Sequence, residues 1–206
     1  AAGGFDITQQ SGVSIDDGAE GITGPLANAS LLSIEVTDVY LFAGVNGAFT
    51  RDGDNIVTGL DTSEAVGFGV SGASLSLKIA GNQAGTLSWT GVSAHVGLMT
   101  VYGLPSDFDI SVRGLDLLVN VAATDLSKLD WDSLTVDSNA AGIAGLDDGL
   151  NLKVSGNLDL DLGGFVLAAG GFDITQQSGV SIDDGAEGIT GPLANASLLS
   201  ISVSDV

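Results

Sequence analysis

Residues 1–39 and 168–206 are two copies of one sequence. Across 39 aligned positions 37 are identical, the exceptions being Glu35, replaced by Ser202, and Thr37, replaced by Ser204. An offset of 167 residues constrains the fold more than any other feature. Whatever the first copy forms, the second must be able to form, and the 128 residues between them must carry the chain from one to the other. The second copy stops at Val206, where the first runs on into Tyr40-Leu41-Phe42. The chain therefore reads as one full repeat, residues 1–167, and the start of the next, residues 168–206, taken from a longer tandem array.

The pattern inside the repeat is that of strands. From Leu150 the chain alternates: Leu150, Leu152, Val154, Leu158, Leu160 and Leu162 fall on one side, and Asn151, Lys153, Ser155, Asn157, Asp159 and Asp161 on the other. Period two predicts a long strand with one buried and one wet face. Gly163-Gly164 predicts a tight turn into a returning strand over 165–174, and Asn46-Gly47 a second two-residue turn. Polar loops are expected at 51–55 and 80–85. Residues 14–29 read as a loop, and 123–131 as a short helical turn capped by Thr124 or Asp125. A phrase of the form apolar-x-Val-polar-Gly/Asp recurs at Val36, Val70, Val112, Val154 and Val203. Its spacing suggests four degenerate units of about 42 residues, each a long strand plus a returning strand, and periods of 20–50 residues mark repeat architectures. The reading is all-β: an elongated, solenoid-like or superhelical stack of long antiparallel strands, with a string of β-sandwich domains as the alternative. A string of beads predicts a linker at the joint, whereas residues 162–174 run across it as strand.

Composition narrows the function classes. Acidic residues number 26 against 5 Lys and Arg, for a net charge of −21. Nothing in such a chain could neutralise phosphates, so nucleic acid is not an expected partner. Glycine, at 31 of 206 residues with only 3 prolines and 44% hydrophobic residues, fits turns between strands rather than a disordered linker. Cysteine is absent, which removes disulfides and thiolate metal sites. No window has the length of uninterrupted apolar sequence that a membrane-spanning helix needs.

The Val-Ser-Gly, alternating Leu-Asp and Gly-Gly-Phe elements of Val154 to Phe165, with Val70-Ser71-Gly72 and Val112-Arg113-Gly114, resemble repeats of giant bacterial surface and adhesin-like proteins. The resemblance implies an extended, secreted, cell-anchored fibre used in adhesion or matrix building, whose partners are neighbouring copies joined head to tail and a cell-surface or matrix target. It implies no catalytic residue. Gly170-Gly171-Phe172-Asp173 lacks the third glycine of the calcium-binding nonapeptide of secreted repeat toxins, which argues against a calcium-filled parallel β-roll.

Calcium is the one cofactor with candidate ligands. Asp16-Asp17-Gly18, Asp147-Asp148-Gly149 and Asp183-Asp184-Gly185 pair acids in turns, and Asp52 with Asp54 forms a further group near Asp61. Ca²⁺ takes oxygen ligands from such loops, but Asp and Gly are also ordinary turn residues that bond their own backbone. His95 is the single histidine and reads as a strand residue. Trp89, Trp131, Tyr40 and Tyr102 read as core packing. No set of residues suggests a reaction. The two functional readings are a structural spacer or filament subunit, and a calcium-dependent adhesive module for carbohydrate or another surface.

Overall fold

The structure, a computed structural model, describes residues 1–18, 21–22, 24–183, 185 and 191–205. The described residues form twelve strands and no helix. Eight strands are long: β1 (Ala2–Asp16), β2 (Leu26–Val45), β5 (Val66–Gly81), β6 (Ser88–Tyr102), β7 (Phe108–Val121), β10 (Leu150–Leu162), β11 (Leu167–Ile182) and β12 (Leu193–Ser204). They run up and down as a meander, each antiparallel to the next, in the order β12-β11-β10-β7-β6-β5-β2-β1. The all-β reading is thereby met, and the long strands share one antiparallel sheet. Two short pairs interrupt the meander. β3 (Ala48–Arg51) and β4 (Val57–Asp61) make a separate hairpin, and β8 (Thr135–Val136) with β9 (Asn139–Ala140) extends the sheet beyond β1.

The alternating run at 150–162 is β10, residue for residue. Its turn uses Gly163 and Gly164 at φ 64° and 71°, as expected, but it spans four residues and leaves Phe165 outside the returning strand, which begins at Leu167. Asn46 takes φ 61° in the Asn-Gly turn between β2 and β3. The loop expected over 14–29 is shorter, because β1 continues to Asp16 and β2 starts at Leu26. The helical turn expected at 123–131 does not form. Asp125 Oδ1 accepts bonds from Ser127 N (3.0 Å) and Oγ (2.6 Å), and Leu126 sits at φ 72°, so local side-chain bonding closes a turn that a helix cannot contain.

The recurring Val phrase marks a feature other than the start of a unit. It falls in β2, β5, β7, β10 and β12. In four of these five, the residue two after Val has positive φ: Asp38 (53°), Gly72 (63°), Gly114 (56°) and Asp205 (55°). Register shifts flank Asp38 and lie between Ser155 and Asn157 where β10 meets β7. At Asp38, Gly72 and Gly114 the phrase thus encodes a β-bulge in mid-strand, where a left-handed residue re-aims the chain and Gly or Asp is tolerated, whereas Asp205 lies just past the end of β12. Because Ala73 pairs with Val96, Val96 with Leu115 and Gly156 with Phe172, the bulges line up as a crease across the sheet. Only the second and fourth phrases are followed by a directly returning long strand. After the first comes the β3–β4 hairpin, and after the third a long excursion, so one repeat contributes six long strands, not eight.

That excursion, residues 122–149, makes the core. It leaves β7, lies across β6, β5 and β2, pairs with β1 through Thr135 and Val136, and returns to β10. We call it the strap. Leu129, Trp131, Leu134, Val136, Ile143 and Leu146 of the strap bury against Val13, Ile15, Ala29, Leu31, Ala80 and Trp89 of the sheet. The apolar face expected to be buried in β10 is only half covered. Leu152 to Leu162 are half-buried or exposed, and the shift between Leu150 and Leu152 turns Leu150 alone toward the strap. The same half-buried state holds for Leu32, Ile34, Leu77, Ile79 and Val92, which share a face by their pairing. Alternation reports which side is apolar, but here the cover sits on the mixed side.

Candidate functional site

Two features set this chain apart from an ordinary sheet, and the second involves the duplicated hairpin. The first is the clamp between strap and sheet. Asn120 on β7 is buried, and its Nδ2 donates to the carbonyls of Leu129 (2.9 Å) and Asp147 (2.8 Å), one on each leg of the strap. Its Oδ1 accepts from Trp131 Nε1 at 3.2 Å. Gly91 leaves the space for this ring, since a Cβ there would meet Trp131 at 2.8 Å. Trp89 Nε1 donates to Ser127 Oγ at 3.0 Å, and Lys78 Nζ to the carbonyls of Ala141 (2.6 Å) and Gly142 (3.0 Å). The core role expected for both tryptophans holds. Asn120 could not be singled out from sequence, because it sits in an ordinary alternating run and its partners lie 9 and 27 residues away.

The second feature is the joint. β10, which precedes the second sequence copy, pairs along β11, which holds the start of that copy, from Asp161–Leu167 to Leu150–Gln177. Phe172 lies over Gly156, where a Cβ would come within 3.2 Å of its ring. Lys153 Nζ is 3.6 Å from Asp173. Lys128, at the start of the strap, donates to Ser178 Oγ (2.8 Å), to the Leu150 carbonyl (3.3 Å) and to Asn151 Oδ1. Burial lowers the pKa of Lys128, while the charges of Asp148 and Asp147 act to raise it. Of five basic residues, two therefore tie the second sequence copy to the residues before it.

The acidic candidates occupy turns and largely bond backbone. Asp16 Oδ1 accepts from Gly18 N (3.1 Å), Asp147 Oδ1 from Leu150 N (2.8 Å), and Asp183 Oδ1 from Gly185 N (3.0 Å). Asp52 Oδ1 accepts from Asp54 N (3.0 Å) and Ile56 N (2.9 Å) in the β3–β4 turn, which contains Asp54 as well. Asp184 lies outside the described residues. Asp17 differs: it is fully buried under the strap, where Oδ2 accepts from Ile22 N (2.9 Å) and Asp130 N (3.2 Å) and Oδ1 has no hydrogen-bond partner among the described residues. Burial raises its pKa, the backbone bonds oppose that, and the nearby Asp130 adds to the rise. Among the described residues, no three acidic or histidine side chains come together as a metal-binding group. His95 is a strand residue, with Nδ1 2.7 Å from Asp116 Oδ1 on the neighbouring strand.

The two copies of the duplicated hairpin have the same register. Phe5 pairs with Val36 and Phe172 with Val203; Ile7 with Ile34 and Ile174 with Ile201; Val13 with Ala29 and Val180 with Ala196; Ile15 with Leu26 and Ile182 with Leu193. The first hairpin lies toward one end of the sheet and the second at the other. No family model matches the chain, and no curated protein or solved structure is detectably similar to it.

Proposed function

We propose that the chain is a structural repeat of a long bacterial extracellular fibre or surface protein, acting as a spacer or filament subunit in adhesion or matrix. The observation that carries this reading is the pair of identically registered hairpins toward opposite ends of one meander. The meander of long strands begins and finishes with the same element, so a further repeat can be added by continuing the same strand pairing. The β10–β11 joint supports the seamless form of such a fibre, because it is an ordinary ladder of the sheet with no linker. The acidity fits a solvated exterior. Residues 1–167 hold 21 acidic and 5 basic side chains, a charge that physiological salt screens beyond about 8 Å.

Electron microscopy of chains with increasing numbers of repeats tests the reading. Six strands at about 4.8 Å predict that each repeat lengthens a smooth ribbon by roughly 29 Å. Beads on flexible links would overturn it in favour of separate β-sandwich domains. The calcium-dependent adhesive module is favoured by one observation, the Oδ1 of buried Asp17, which lies beside Asp130 and has no hydrogen-bond partner among the described residues. A ribbon that loosens in chelator and reforms with Ca²⁺ would move that reading to the front.

A further inference from the structure

One sequence appears in this chain in two environments. In the first hairpin Ile15 is 0% and Leu31 3% exposed, with Val13 and Ala29 buried beside them, all under the strap. In the second hairpin Leu198, the counterpart of Leu31, is 40% exposed, and Val180, Ile182 and Ala196 are only half-buried. The backbone does not account for this, since the pairing of the two hairpins is the same. What differs is the cover. Ile15 and Asp16 pair with Val136 and Thr135 of the strap, Ser14 N donates to Asp137 Oδ1 (2.9 Å), and Asp137 N donates to the Ser14 carbonyl (2.9 Å). The counterparts Ser181, Ile182 and Asp183 are bare on that side, because β10 begins opposite Gln177 and stops short of them. A cleft between the first strap and the second hairpin, lined by Leu126, Lys128, Gly149, Ser178 and Val180, reaches to just short of these residues.

We propose that the β11–β12 hairpin is a docking surface for the strap of a second copy of this repeat. That strap, residues 122–149 in the present numbering, lies over Val180, Ile182, Ala196 and Leu198 as the first lies over Val13, Ile15, Ala29 and Leu31. The short strand Thr135–Val136 of the second copy adds to Ile182 and Asp183, at the end of the cleft beside Lys128. Every contact needed is already made once in this chain by the same residues, and both positions that differ between the hairpins, 35 and 37, lie outside the covered set. The inference rests on the tandem-array reading above and adds to it the identity of the partner and the order of assembly: each strap closes over the hairpin that opens its own repeat.

Cysteine labelling tests it, since the chain has no cysteine of its own. Leu31→Cys and Leu198→Cys are made separately in the 206-residue chain and in a chain with one more complete 167-residue repeat appended in phase. The Leu31→Cys thiol is expected to be protected in both. The Leu198→Cys thiol is expected to react freely in the shorter chain and at least about 100-fold more slowly in the longer one, where reaction must wait for local opening. Ala29→Cys and Ala196→Cys give the same comparison if a leucine variant fails to fold. An unchanged rate at position 198 or 196 in the longer chain, with position 31 or 29 protected, overturns the proposal. Ribbons with a reactive Leu198→Cys thiol would keep the fibre and remove this docking. Protection in compact, non-ribbon particles would keep the docking and remove the fibre.

Discussion

Asn120 is buried with its amide fully used, and its neighbours on the strap depend on it. Asn120→Ala leaves the Leu129 and Asp147 carbonyls and the Trp131 indole N–H without their partner. Unsatisfied buried groups cost about 1–3 kcal/mol each, so a loss of at least about 2 kcal/mol is expected in urea unfolding. Asp17 makes a prediction about pH. Burial raises its folded-state pKa, so the native state holds the proton more tightly than the unfolded chain does. That contribution to stability is full below the ordinary carboxylate value and is lost as pH rises through the raised one. Asp17→Asn, neutral throughout, removes this loss, and the urea midpoint of the variant gains on the parent between pH 4 and pH 7. Gly114→Ala tests the crease. At φ 56° the cost is the backbone conformation, since the nearest atom to a new Cβ is 4.0 Å away, and about 1 kcal/mol of destabilisation is expected. Sequence made the glycine and aspartate of the Val phrase visible but not their meaning. A left-handed bulge and a turn call for the same residue types, and only the pairing on both sides separates them.

At the scale of elements, the strap decides where stability lies. Its seven buried apolar side chains, Ala123 included, join the sheet into one cluster, and Trp131 is the largest of them. Trp131→Ala is expected to cost about 3–5 kcal/mol, the usual price of a buried aromatic. Hydrogen exchange should then show early opening at residues 129–146 and slower exchange at the β5–β6 ladder. The strands were legible because period two survives in any single strand, and β10 coincides with its alternating run. The strap was not. It has no periodicity, and its apolar residues are separated by Asp, Ser, Gly and Asn, which read as loop. What makes it a core element is the sheet face beneath it, and that face is assembled from β1, β2, β5, β6 and β7, strands spread over more than a hundred residues. The acidic turns were found at sight, but which of them would be buried depended on the strap. Asp17 is covered, while its counterpart lies outside the described residues.

At the scale of the molecule, the duplication in the sequence and the duplication in the sheet coincide, and this was the most secure inference available from residues alone. The number of strands between copies was not, since the 42-residue phrase suggested four strand pairs in residues 1–167, where there are three. The corrected count, six, has its own effect, because it is even. β1 and β11 both enter the sheet at the border that carries the β3–β4 hairpin and both leave it at the border that carries the strap. Successive repeats in an array therefore share one heading, with all straps along one border. A repeat that gained or lost a single strand would reverse every repeat after it and send their straps to the opposite border. Such a ribbon can change its length by hairpins but not by single strands, a parity rule on insertions and deletions that follows from strand direction alone.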